Sequence, residues 1–306
     1  MIKDFEYISK NCKNSNPMKK SIIILSIIIF AFTSQAQTKD STVNSLLWKI
    51  SGKGIEQSSY IFGTIHIIPK EDFFFTDVMK EKFKTCKKLI LEIDINLSLN
   101  EKIDAAKQMI LPDGKSLSDY MNDEDFTKFK TYLLDSLGIK ESSFNRMQKI
   151  KPMFSSALII NDLIGKSKTY EEELNKLAKK NKMPTEGLET LQFQMDLVNK
   201  ISIEDQVKML TADDLNENPL DSYNKMLKFY KSQNLDSLKI LMDEDDSMIE
   251  ISEDFLKNRN ADWIPKIEKL IKESPVFIAV GAGHLAGKDG VLNLLKENGY
   301  TITPVK

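Results

Sequence analysis

The chain has 306 residues, 43 Lys and Arg against 45 Asp and Glu, 41% hydrophobic residues, two Cys and two His. That composition excludes collagenous, disulfide-dense and intrinsically disordered classes, and a formal charge of -2 without a long basic block argues against a nucleic-acid partner. Histidine is the scarce residue: ordinary usage would give about six in a chain this long, so any site that uses imidazole draws on His66 and His284.

Met18-Lys19-Lys20-Ser21, the apolar run Ile22 to Phe32 and the exit Thr33-Ser34-Gln35-Ala36 have the three parts of a secretory signal peptide cleaved after Ala36. An uncleaved anchor or a buried core helix is the plainer reading, but the run is shorter than the ~20 residues a membrane span needs. Met18 can itself be the start, which makes residues 1–17 an upstream extension. The expectation is a periplasmic or secreted protein with no stable membrane insertion after cleavage. Residues 37–306 are read as one domain, with 38 basic against 43 acidic residues. Cys12 leaves with the leader, so Cys86 stands alone and no intramolecular disulfide forms.

Leu46 to Ile50 and Ser59 to Thr64 read as strands separated by the turn Ser51-Gly52-Lys53-Gly54. Lys70 to Lys87 has helical character, and Leu89 to Ile95 is an apolar run broken only by acids, the pattern of a buried strand. Helical spacing then dominates over Leu99 to Ile110, Leu117 to Leu137, Asn145 to Ile164 and Glu171 to Lys180, with breaks at Pro112-Asp113-Gly114, Gly138 and Gly165. Met183 to Leu188 reads as a short return strand. Helices follow over Gln192 to Asn199, Ile203 to Leu210, Ser222 to Tyr230, Leu235 to Met242 and Met248 to Leu270. The chain closes with a strand (Pro275 to Val280), a Gly-rich loop (Gly281 to Gly287), a helix (Gly290 to Asn298) and a strand (Tyr300 to Val305). The predicted class is α/β: a central mixed β-sheet flanked by helices, two related strand-loop-helix halves, and a large helical insertion between them.

Both histidines share one local pattern. Ile61-Phe62-Gly63-Thr64-Ile65-His66-Ile67 and Ala279-Val280-Gly281-Ala282-Gly283-His284-Leu285 each run apolar, apolar, Gly, x, x, His, apolar, with Glu71 and Asp289 five residues further on. Glycine three before both histidines is expected by chance about 2% of the time, so the pair reads as a weak internal repeat. A glycine at a strand end permits a sharp turn or close approach, and the His after it projects above the strand ends, where ligands of α/β sheets bind. The alternative for each is a His that merely satisfies a buried polar position; the shared setting favours one joint site.

Glu92 and Asp94 fall on one face of the Leu89 to Ile95 strand, and an acid in so apolar a run needs a cation, a metal or hydrogen-bond donors. Strand-end exposure or a salt bridge is the plainer reading of each. Glu189, after the return strand, is a second candidate acid. Arg259, a fixed fork for carboxylates, is expected to orient Glu92 or Glu189 or to bind a substrate carboxylate. His-Glu-x-x-His, Cys-x-x-Cys, a phosphate loop and a Gly-x-Ser-x-Gly elbow are all missing.

Gly63-Thr64-Ile65-His66, Leu91-Glu92-Ile93-Asp94, Gly187-Leu188-Glu189-Thr190 with Gln194, Arg259-Asn260 with Trp263, and Val280-Gly281-Ala282-Gly283-His284-Leu285-Ala286-Gly287 with Gly290-Val291 together resemble the TraB/GumN family, in order from about residue 44 to the carboxyl end. The resemblance implies an α/β fold in which the two motif histidines and an acid share a site, carried here onto His66, His284 and Glu92, with Glu189 and Arg259 beside them. That family includes the Tiki metal-dependent proteases and the pheromone-shutdown proteins. Gly283 departs from the bulkier apolar residue of many relatives. The expected activity is an exported metal-dependent hydrolase acting on a peptide or small amide. His66, His284 and Glu92 would hold a divalent manganese, cobalt or zinc ion, and Glu189 or Asp94 would act as base. The rivals are a non-catalytic protein that captures a peptide or pheromone in the same crevice, and a metal-free hydrolase using the histidines as acid and base with Glu92. Oligomeric state is not readable from the sequence.

Overall fold

Alternating apolar runs and helical segments assemble, in the computed structural model, around a six-stranded sheet. The structure describes residues 44–211, 218–244 and 253–306; the leader read at residues 1–36 and the beginning of the Met248 to Leu270 helix lie outside the described residues. The strands are β1 (Leu47–Ser51), β2 (Ser59–Thr64), β3 (Ile68–Pro69), β4 (Lys88–Ile93), β5 (Ser167–Lys168), β6 (Thr185–Glu189), β7 (Val276–Gly281) and β8 (Thr301–Pro304). The large sheet runs β6-β4-β7-β2-β1-β8, and β3 pairs with β5 in a separate small sheet.

Within the large sheet, β6, β4, β7 and β2 are parallel, whereas β1 is antiparallel to both β2 and β8. The sheet is therefore mixed and the class is α/β. β2 is buried along its whole length and β7 up to Gly281, as parallel strands covered on both faces require. Phe62, Phe83 and Phe277 anchor the core beneath them. A second apolar cluster, with Leu117, Phe129, Leu133, Phe144 and Met147, belongs to the helical insertion.

The helices are α1 (Asp77–Thr85), α2 (Leu99–Met109), α3 (Asp123–Thr131), α4 (Glu141–Met147), α5 (Pro152–Ile164), α6 (Tyr170–Lys180), α7 (Leu191–Asn199), α8 (Ile203–Thr211), α9 (Pro219–Lys231), α10 (Leu235–Asp243), α11 (Arg259–Glu273) and α12 (Val291–Glu297). Several sequence boundaries change. The helix expected from Lys70 begins only at Asp77, because Thr76 caps it by accepting the Met79 amide and Phe73, Phe74 and Phe75 pack instead into the aromatic core. Leu117 to Leu137 divides into a 3₁₀ turn, α3 and a π turn, the break falling where Asn122 caps α3. Asn145 to Ile164 divides into α4 and α5 at Pro152, which starts α5 where its missing N–H costs nothing. The strand expected to reach Ile95 stops at Ile93, since the Asp94 side chain accepts the Asn96 amide and turns the chain away.

Candidate functional site

Four parallel strands bring their carboxyl ends to one edge, and each end delivers a polar residue. Ile93 pairs with Glu189, so the end of β4, with Glu92, lies beside the end of β6. On the other side, Thr64 pairs with Gly281. The two Gly-x-x-His segments thus leave adjacent strands one residue out of step. His66 follows β2 by two residues, and His284 closes a 3₁₀ turn, Ala282–His284, immediately after β7.

Gly281 is the point on which they converge. A Cβ at this position would lie 3.3 Å from Glu92 Oε1, 3.6 Å from His284 Cδ2 and 3.9 Å from His66 Nε2. The hydrogen of glycine leaves that volume open, and the Gly281 amide donates to Glu92 Oε1 at 2.8 Å. The three residues expected to share a site therefore line one small hollow.

Arg259 ties the hollow to β6. Its Nε donates to both Glu189 oxygens at 3.0 and 3.2 Å, and its Nη2 to Glu189 Oε1 at 2.5 Å and Glu92 Oε2 at 2.6 Å. Nη1 reaches the Phe255 carbonyl at 2.9 Å and His284 Nε2 at 3.2 Å. Trp263 Nε1 donates to Glu189 Oε2 at 2.9 Å, and Gln194 Nε2 donates to Glu189 Oε1 at 2.7 Å and Glu92 Oε2 at 3.3 Å. Glu189, only 4% exposed, has both oxygens engaged and so serves as the anchor of Arg259. Of the alternatives the sequence leaves for Arg259, Glu92 or Glu189, it bonds both acids.

The first turn of α11 also fixes His284. Asn260 Nδ2 donates to the Asp289 carbonyl at 2.9 Å, which turns its Oδ1 to His284 Nδ1 at 2.7 Å. An amide oxygen only accepts, so Nδ1 carries the proton and Nε2 carries the lone pair that faces Arg259. Trp263 covers the ring at 4.4 Å between centroids. Burial, with the Arg259 charge, pushes the His284 pKa down to about 4 despite the pull of Glu92, so the imidazole is neutral at pH 7.

Burial alone would raise the Glu92 pKa. The charges around it and the Gly281 amide outweigh burial and hold the carboxyl below its usual range. At pH 7, where His284 is neutral, the charges of His66 and Arg259 do so together. Burial also opposes the charge on Arg259, but its bonds to Glu189 and the charges of Glu92 and Glu189 prevail and raise its pKa.

His66 lies in a different environment. Its side chain is 71% exposed and its Nδ1 meets Glu171 Oε1, from α6, at 3.3 Å. The hydrogen bond to Glu171 lifts the His66 pKa above 6.5 against partial desolvation in the crevice, and water at so open a ring moderates the pair. The two imidazoles are thus shifted in opposite directions. Nothing in the sequence marks Glu171 as more than a helix residue: it begins a run of three glutamates in the first turn of a helix, which looks like an ordinary favourable response to the helix dipole.

Asp94 does not join this network. Its Oδ1 is held by Asn96 and Thr185 in a polar cluster at the neighbouring edge. Gly283 lies under Met242, whose sulfur and methyl would stand 2.8 Å from an added Cβ; the thioether occupies the space of the missing side chain. A cavity of about 430 Å³ opens elsewhere, among Lys107, Ile110, Lys151 and Ile203, and none of the motif residues lines it. Among the described residues no three His, Cys, Asp or Glu side chains stand in a ready metal-binding group, and no helix is long and apolar enough to cross a membrane.

Neither the curated proteins nor the solved structures compared with the chain gave a match. The profile of the TraB/PrgY/gumN family matches residues 46–304, a span that includes every residue of the hollow. The chain belongs to the TraB/PrgY/gumN family.

Proposed function

We propose that this crevice hydrolyses a peptide or related amide outside the cytoplasm, with a divalent ion held by His66, His284 and Glu92. The observation that carries the reading is the hollow over Gly281, bordered by Glu92 Oε1 and the edges of both imidazoles. The donor chemistry fits an ion. Each histidine is tied at Nδ1, to Glu171 or to Asn260, and metal-binding imidazoles are oriented in this way by a partner on the other nitrogen. Glu92 Oε1 receives one backbone amide and stays ionised. A bound divalent ion supplies an acidified water and polarises a carbonyl. The chain's own part is to keep His284 neutral, to keep Glu92 charged through Arg259, and to present His66 at the open side where a substrate enters. The leader pattern at residues 18–36 supports export.

A second reading is favoured by one contact. Arg259 Nη1 already satisfies the lone pair of His284 Nε2 at 3.2 Å, and environments that push the two imidazoles apart in pKa are those of an acid and base pair. Elemental analysis and mass spectrometry of a peptide pool separate the readings. The first expects new fragments, metal in the purified protein, and loss of both in His66→Ala and His284→Ala. Turnover that survives exhaustive chelation favours the second, and peptides that co-purify intact with no fragments overturn both.

A further inference from the structure

We infer that Glu171 is a positioning residue for His66, fixing the imidazole as its Nδ1–H tautomer so that Nε2 is presented to the hollow over Gly281. The backbone around His66 is held from above: Tyr230 donates its hydroxyl to the Gly63 carbonyl at 3.0 Å and Tyr223 to the Ile67 carbonyl at 3.0 Å, both from α9. The ring itself projects into solvent from this fixed backbone, 71% exposed. Rotation about its side-chain bonds would carry Nε2 away from the hollow, so something must hold the ring.

Glu171 Oε1 does so, at 3.3 Å from His66 Nδ1, and it is itself steadied by the Thr64 hydroxyl at 3.3 Å. A carboxylate accepts and does not donate, so this contact favours the imidazole proton on Nδ1. Thr64 is buried on β2 beside Gly281, so the strand that carries the motif also orients the acid that orients its histidine. Asn260 performs the same task at His284 with a neutral amide. The two motif histidines are thus matched in tautomer but differ in the charge of the group behind them.

This role rests on the proposed site, and its test reads the tautomer directly, whether or not the protein proves to be a hydrolase. With two histidines in the chain, protein labelled with ¹⁵N in the imidazoles gives two ring systems, and His284 serves as an internal check that the site is folded. In metal-free protein at alkaline pH, wild type is expected to show His66 protonated at Nδ1. Glu171→Ala is expected to move the proton to Nε2, with His284 unchanged. Glu171→Gln, which keeps an acceptor, is expected to restore the wild-type pattern. Where the site turns over substrate, Glu171→Ala should lower kcat by about 10- to 100-fold with KM little changed, and Glu171→Gln should recover most of it. His66 remaining protonated at Nδ1 in Glu171→Ala, or Gln and Ala behaving alike, would overturn the inference. A tautomer change in a protein without turnover would sink the hydrolase reading and leave this one standing.

Discussion

Arg259 is the residue on which the electrostatics of the site depend, because it stands between two buried carboxylates and a neutral imidazole. Its side chain is 8% exposed against 12% for Glu92 and 4% for Glu189. Removing one member of such a group strands the others without a counter-charge. Arg259→Met should therefore lose about 3–5 kcal/mol of unfolding free energy in guanidinium chloride. Arg259→Lys should recover only part of that loss, since an ammonium cannot span both acids as a planar fork does. Variants that both melt like wild type would contradict this role. His284 makes a separate prediction about pH. Its folded pKa lies below the unfolded value of 6.5, so its stabilising contribution is fully present above pH 6.5 and is lost as pH falls toward about 4. In metal-free protein, stability should drop by about 3 kcal/mol across that window through this residue, and His284→Gln should flatten the slope. Equal slopes in the two proteins would show that the ring is not buried neutral.

At the level of elements, the site depends on how closely the ends of β4 and β6 approach. Gly187 makes this possible: a Cβ there would fall 2.6 Å from the Asp94 amide nitrogen and 2.8 Å from the Glu189 carbonyl oxygen, both backbone atoms that cannot move aside. Gly187→Ala should cost about 1–3 kcal/mol and weaken the Glu189–Arg259 anchor, measurable as a lower melting temperature; an unchanged melt would show that the strands have slack. These elements also mark what the sequence could and could not reveal. The Gly-x-x-His copies were legible because an apolar strand, a glycine and a histidine follow each other directly in the chain. Glu92 was legible because an acid in an apolar run demands a partner. Asp94 shares a face with Glu92 only by the alternation of a strand that in fact ends one residue earlier, and it bonds its own backbone neighbourhood. The roles of Glu171 and Asn260 are not legible there, because nothing in their local sequence separates a helix-start acid or amide from one aimed at a histidine; only the packing of α6 and α11 against the strand ends does so.

For the molecule as a whole, the fold explains how two histidines at opposite ends of the described chain come to border one hollow. β2 and β7 are adjacent and parallel, and the helical insertion occupies the intervening sequence without separating them. The mixed sheet and α/β class were readable from the order of apolar runs and helical spacing, whereas the pairing order β6-β4-β7-β2-β1-β8 was not, because strand neighbours are fixed by three-dimensional closure rather than by sequence proximity. The central claim is that the hollow over Gly281 is the reacting site, and Gly281→Ala tests it most directly. Gly281 has φ -50° and ψ 135°, a backbone conformation open to alanine, and of the groups around the added Cβ only the Glu92 carboxylate, at 3.3 Å, has to give by a few tenths of an ångström, so the variant should fold with a small loss of stability. Its methyl would occupy the space between Glu92, His284 and His66. Mass spectrometry of a peptide pool incubated with each protein should then find new fragments with wild type and none with Gly281→Ala. Fragments formed equally by both proteins would contradict the account.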